Sequence, residues 1–350
     1  MSDSPDVRMR GYLQRIATGP QLSKDLTADE VQDAVASILR GETDPVRAAV
    51  FLIALRMKRE TVDENIGALR ALRAATLRAI ADVDELVDLA DPYDGVARHL
   101  PASPFLPAVL AASGVPAVCH GCRELAPKRG VTTHRVLQAA GVAVAGTPAD
   151  AAARVADPEV GWAYVGVERF CPPLAALAGL RERIVKRPLL STLEKLLGPV
   201  VARGRTHLVV GWVHKGYDEL LVALAREAGF ATALAVKGVE GGVIPSLSAA
   251  THALGYDGVV RVDPADVGIE PGPERATPVP EGAGDVMDVA ARAAAAGIAA
   301  LEGAPGPTRD MLVHGGAMVL VHVGRAADRA EAAARVRAVL DDGSARARFC

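Results

Sequence analysis

The chain has 350 residues, half of them hydrophobic, with 39 Lys and Arg against 42 Asp and Glu for a formal net charge of −3. That length suits one large or two modest globular domains, no apolar run approaches the ~20 residues of a membrane span, and the surface as a whole is a poor nucleic-acid ligand, so a polyanion needs a local basic patch. Four cysteines fit reduced thiols better than a disulfide framework, and the opening MSDSPDVR lacks a signal-peptide pattern, so the expected location is the cytoplasm.

Residues 9 to 78 read as helical. Thr27 with Glu30, and Thr61 with Glu64, have capping-box spacing, and Asp44-Pro45 opens the helix between them. Val31, Ala34, Val35, Ile38 and Leu39 recur at helical spacing up to Gly41. This segment reads as core and subunit surface, without chemistry. Leu86 to Leu89 then forms a short strand leading into the turn Asp91-Pro92-Tyr93-Asp94-Gly95, and Ser103-Pro104 starts a helix ending at Gly114, with Ser103 as its N-cap or as a phosphate contact.

The organising stretch runs from Val115 to Val142. It reads as a buried strand to Cys119, a polar loop, and a helix opening at Thr132 or Thr133 with Gly141 just past its end. The loop carries Arg123, Lys128 and Arg129 against only Glu124, and backbone N–H groups at a helix start favour an anion. Cys119-His120-Gly121-Cys122 has C-x-x-C spacing, but Cys171 and Cys350 are single and distant, so this is a strand-end loop and no metal site is assigned. In that loop His120 would satisfy a backbone carbonyl.

Thr147-Pro148-x-Asp150 caps a helix, Val160 to Val167 is a strand, and Cys171-Pro172-Pro173 turns into a helix over Leu174 to Leu180. Arg181, Arg183, Lys186 and Arg187 then set four cations against Glu182. Thr206 to Val213, Tyr217 to Ala228 and Phe230 to Val236 form a βαβ unit, which calls for a parallel sheet. Lys237 and Gly238 follow, suited to an anion. Gly258 to Val262 is a further strand, 264 to 284 a surface loop, and Ala-rich helices occupy 286–301, 308–323 and 328–340 before a mobile tail, GSARARFC.

Several of these stretches resemble one family. His120-Gly121-x-Arg123, then Lys128-x-Gly130, and a helix closing on Leu137-x-x-x-Gly141 resemble the KHGNR…K-x-G…LEALG segment of anthranilate phosphoribosyltransferases, of glycosyltransferase family 3 and the nucleoside phosphorylase type II fold. Arg187 and Gly198-Pro199 match that family's L-G-x-R-T-x-x-N-x-L-G-P. Tyr93-Asp94-Gly95-x-x-Arg98 and Phe170-Cys171-Pro172-Pro173 are closer to a divergent branch exemplified by YbiB, whose described property is nucleic-acid binding. The resemblance implies an α/β fold: a small helical domain over 1–82, joined by helices around 172–198, and a larger domain with a mainly parallel sheet over 83–171 and 199–350. It also implies a cleft between the two domains and a homodimer.

The departures from the family carry as much information. Its GTGGD diphosphate loop is Asp91 to Gly95 here, stripped of most glycines that a phosphate cradle needs. Its H-G-x-D-G-x-D-E segment becomes Lys237 to Ile244, and Val243 and Ile244 replace the acidic pair that carries magnesium, so no cofactor is assigned. The expected ligand is nucleic acid or a phosphorylated sugar. Phosphate contacts fall to Ser103, His120, Gly121, Arg123, Lys128, Arg129, Arg187, Lys237 and Gly238, and nucleic-acid contacts to Arg123, Lys128, Arg129, Arg181, Arg183, Lys186, Arg187 and Lys237. The alternatives are an active glycosyl or phosphoribosyl transferase with an unidentified acceptor, anthranilate being disfavoured, and a silent interaction scaffold.

Overall fold

A computed structural model describes residues 4–19, 21–275 and 277–349. The chain opens with the helices Pro5–Ile16, Ala28–Leu39, Pro45–Lys58 and Val62–Ala74. Both capping boxes form: Thr27 accepts the Glu30 N–H while Glu30 reaches back to the Thr27 N–H, and Thr61 and Glu64 do the same. Asp44 takes the N–H groups of Val46 and Arg47. Each cap satisfies donors that a helix start leaves open, worth about 1 kcal/mol apiece.

Among the described residues nine strands follow: β1 (Ala79–Ala81), β2 (Glu85–Ala90), β3 (Ala117–Gly121), β4 (Trp162–Gly166), β5 (Val200–Ala202), β6 (Arg205–Gly211), β7 (Thr232–Val236), β8 (Thr251–Gly255) and β9 (Gly258–Val262). β1 and β5 form a small parallel pair, and the others a seven-stranded sheet in the order β4-β3-β2-β6-β7-β8-β9. Pairing is parallel from β4 to β7 and antiparallel at the β7–β8–β9 edge. Every residue of β2, β3 and β4 is buried, as parallel strands covered on both faces require. Alternation sends Leu86, Ala90 and Val118 toward the N-terminal helices and Val87, Leu89 and Ala117 toward the helices Val286–Leu301, Pro307–His322 and Arg329–Asp341.

The structure adds a strand that the sequence does not signal and corrects one reading. The strand Thr251–Gly255 completes a hairpin with β9 whose register runs from Thr251 opposite Val262 to Gly255 opposite Gly258. The tail is docked rather than mobile: Ser344–Phe349 is helical, and Phe349, 2% exposed, stacks on Trp162 with centroids 5.5 Å apart. Trp162 Nε1 donates to the Arg348 carbonyl at 2.7 Å. Burial of that aromatic area and the hydrogen bond to the Arg348 carbonyl offset part of the entropy lost in ordering the tail. Cys350 lies outside the described residues. No helix among the described residues is long and apolar enough to cross a membrane.

Candidate functional site

The C-terminal ends of β2, β3, β4, β6 and β7 share one edge, where open α/β sheets hold ligands. The loops leaving these strands carry most of the predicted contacts, yet several contacts turn inward. Lys128 Nζ donates to the Gly95 carbonyl at 2.6 Å and stands 4.0 Å from Asp94 and 3.7 Å from Glu240. Burial holds the Lys128 pKa below its ordinary value, against the pull of Asp94 and Glu240. Arg187 Nε donates to Asp94 Oδ2 at 2.6 Å. Arg129 pairs with Glu124 at 3.0 Å and with Glu182. The helix that ends this loop spans only Thr133–Ala139, and Thr132 Oγ1 caps it by accepting the Arg135 N–H at 3.3 Å.

Two predicted contacts are displaced altogether. Arg181, 3% exposed, is sealed in an ion pair with Glu194, Nη2 to Oε1 3.1 Å, and is out of reach of a macromolecule. Burial alone would lower its pKa; Glu194 outweighs that and keeps the guanidinium charged. His120, 1% exposed, lies between side chains rather than against a carbonyl or a phosphate: Nδ1 is 2.6 Å from the Tyr93 hydroxyl, and Nε2 is 3.0 Å from Asp88 Oδ1 at an angle outside hydrogen-bond geometry. Asp88 is fully buried on β2, with Arg73 as a further charged neighbour. Ser103 caps nothing; it begins the 3₁₀ turn Ser103–Phe105 that precedes the helix Leu106–Ala112. Arg123, Arg183, Lys186 and Lys237 are exposed and meet no carboxylate among the described residues, Lys237 lying 5.9 Å from the Trp212 ring centre.

The turn after β2 and the turn after β7 close on each other. Asp91 Oδ1 accepts the Val243 N–H at 3.0 Å, and the Glu240 carboxylate accepts the N–H groups of Ala97 at 3.1 Å and Arg98 at 2.6 Å and lies 2.9 Å from His99 Nδ1. Gly238 allows this approach, since a Cβ there would stand 1.7 Å from the Gly242 carbonyl oxygen. Between Asp91, Gly95, His99, Ser103 and Val243 the remaining space is ≈ 20 Å³, room for about one water and not for a diphosphate.

Residues 10–76 match the model described as "Glycosyl transferase family, helical bundle domain", and residues 100–346 match "Glycosyl transferase family, a/b domain". The chain belongs to glycosyl transferase family 3. It is 30% identical to an anthranilate phosphoribosyltransferase of Azorhizobium caulinodans over 98% of this chain and 95% of the relative. Another of that name, from Xanthomonas axonopodis pv. citri, is 29% identical over 93% of this chain and 92% of the relative. The fold is shared with anthranilate phosphoribosyltransferase from Thermus thermophilus, at a TM-score of 0.76 and 19% identity over 98% and 97% of the two chains. The Saccharomyces cerevisiae enzyme in complex with PRPP and Mg gives 0.79 and 15%, over 98% and 96%.

A family 3 member that used magnesium would need carboxylate oxygens beside the diphosphate. Val243 and Ile244 are 0% and 3% exposed, and their alkyl side chains belong to the core; Ile244 packs so closely on Gly315 that a Cβ there would fall 3.0 Å from Ile244 Cγ1. The residues present do not fit the ion.

On the other face of β3 a cavity of ≈ 240 Å³ remains, lined by residues including Tyr93, Cys122, Arg123, Glu168 and Glu194. Burial pushes the Cys122 thiol far above its ordinary pKa, which leaves it inert as a nucleophile. Cys119 packs on the opposite face of the sheet, so the pair does not converge. Sequence reasoning missed Asp88, Tyr93, Glu194 and Glu240 as site residues. Only Glu240 carried a local signal, an acid set between glycines in a predicted anion loop.

Proposed function

We propose that this family 3 chain binds phosphate-rich ligands, nucleic acid foremost, along the C-terminal edge of its sheet without magnesium, and does not transfer phosphoribosyl groups to anthranilate. The observation that carries the reading is the burial of Val243 and Ile244 where the family pattern has its acidic pair. Support for the ligand class comes from Arg183 on the helix Ala178–Ile184 and from Arg123, Lys186 and Lys237 outside helices and strands, all of which keep their charge exposed, and from the resemblance to the YbiB-like branch. Because Arg181 is buried and Lys128, Arg129 and Arg187 already have acidic partners, these four are the predicted cations left free for phosphates. Four neutralised phosphates give a log–log salt slope of about −4 on duplex DNA. A salt titration with a labelled duplex reads this directly. Arg123→Glu with Lys186→Glu should abolish retention at ~100 mM salt, and retention unchanged by that pair overturns the reading.

A second reading, transfer to an unidentified small acceptor, is favoured by the ≈ 240 Å³ cavity. Thermal stabilisation by phosphoribosyl pyrophosphate, with and without magnesium, separates it from the first. The homodimer belongs to either reading; Val46, Val50 and Met57 leave an apolar stripe exposed on the helix Pro45–Lys58, and light scattering on the purified chain checks it.

A further inference from the structure

We propose that Glu240 is a built-in competitor for an anion receptor, and that a phosphate-bearing ligand gains that receptor only by displacing the Glu240 carboxylate. The inference rests on the phosphate-ligand reading and adds how that site is controlled. The receptor is formed by consecutive backbone N–H groups at Ala97 and Arg98, the His99 ring and the Lys128 ammonium, all converging on one carboxylate at 3.1, 2.6, 2.9 and 3.7 Å. Convergent backbone donors beside a cation are what phosphate oxygens also seek.

The occupant arrives from far away in sequence and in a costly conformation. Glu240 lies 142 residues from Arg98 and takes φ 50°, ψ 23° inside the turn Val239–Gly241. A left-handed glutamate costs roughly 1–2 kcal/mol, so the turn is held by the contacts its carboxylate makes rather than by its own preference. Glycines at 238, 241 and 242 flank it and can absorb a change of backbone angle. The carboxylate is 12% exposed, so an incoming anion can reach it. Burial would raise the Glu240 pKa, but His99 and the Ala97 and Arg98 N–H groups outweigh it and hold the value at about 2. Protonation therefore does not vacate the receptor near neutral pH; a stronger anion has to.

The probe is pyrophosphate in the presence of EDTA, titrated calorimetrically into the full chain. A receptor occupied nine-tenths of the time by its own carboxylate binds about tenfold more weakly than a vacant one. Glu240→Ala should therefore bind pyrophosphate about tenfold tighter than the wild type or more, Glu240→Gln should gain less, and adding Lys128→Ala should remove most of the gain. Glu240→Asp, which keeps the charge but shortens its reach, serves if the alanine variant unfolds. In the wild type, hydrogen exchange over residues 238–243 should quicken when pyrophosphate saturates the chain. Folded variants that bind pyrophosphate no tighter than the wild type, or exchange unchanged by saturating pyrophosphate, overturn the proposal. If Glu240→Ala gains pyrophosphate while no form of the chain retains duplex at any salt, the nucleic-acid reading fails and the competitor stands. If the wild type retains duplex with the expected salt slope while folded Glu240→Ala gains no pyrophosphate, the competitor fails and the nucleic-acid reading stands.

Discussion

Arg181 and Glu194 share a fully enclosed ion pair, Nη2 to Oε1 3.1 Å, with side chains 3% and 2% exposed beside the ≈ 240 Å³ cavity. Ser191 Oγ accepts a further Arg181 hydrogen bond at 3.0 Å. Removing one member leaves a buried charge without its partner, which costs ~3–5 kcal/mol, whereas replacing both by apolar groups of similar volume is near neutral. Glu194→Gln should therefore lower the urea midpoint sharply, and Arg181→Met with Glu194→Leu should restore most of it. A double variant no more stable than the single one refutes this account.

Val185 ends the helix Ala178–Ile184 at φ 65°, ψ −24°, and is 62% exposed. A β-branched residue is poorly suited to that region. The motif matched by Arg187 has glycine two residues earlier, where this chain has Val185. Val185→Gly should stabilise by ~1 kcal/mol, seen as a raised urea midpoint with an unchanged slope.

Local features were the legible ones. The Thr27–Glu30 and Thr61–Glu64 boxes, the Asp44 cap and the helix 286–301 depend on residues a few positions apart, and all form as read. The Glu240 contact with Arg98 spans 142 residues, and that of Asp88 with His120 requires β2 and β3 to be neighbours. Nothing in either segment announces its partner. Arg181 misled for a related reason: a run of cations reads as a solvated face, and the glutamate that draws it inside lies 13 residues on. The hairpin strand Thr251–Gly255 was hidden because its residues do not alternate clearly between apolar and polar.

Acid should destabilise the chain through two histidines, the buried His314 and the half-buried His322, that the fold holds in neutral form. Burial, reinforced by Arg329 and opposed by Asp263, takes His314 down to about 3; burial, reinforced by His207 and opposed by Asp257, takes His322 down to about 4. The unfolded chain takes up these protons near pH 6.5 while the folded chain refuses them, so stability is intact above ~6.5 and falls as pH drops toward those folded values, by up to ~1.4 kcal/mol per pH unit for each group. Denaturant midpoints between pH 7 and 4.5 test this. In His314→Gln the slope should be shallower than in the wild type over that range, and an unchanged slope would remove His314 from the account.

Restoring the acidic pair should fail. Val243→Asp with Ile244→Glu would put two carboxylates where the wild-type side chains are 0% and 3% exposed, with Ile244 pressed on Gly315. The Val243 N–H is already given to Asp91 at 3.0 Å, which adds a third acid to the same turn. Burying unpaired charge costs several kcal/mol, and the ≈ 20 Å³ left beside Asp91 is too small for a hydrated magnesium ion to offset it. The double variant is expected to lose ~3 kcal/mol or more and to show no recovery of its melting temperature with millimolar magnesium. A magnesium-dependent recovery would mean that the turns after β2 and β7 open readily enough to remake a metal site, and that their closure is shallow rather than built into the core.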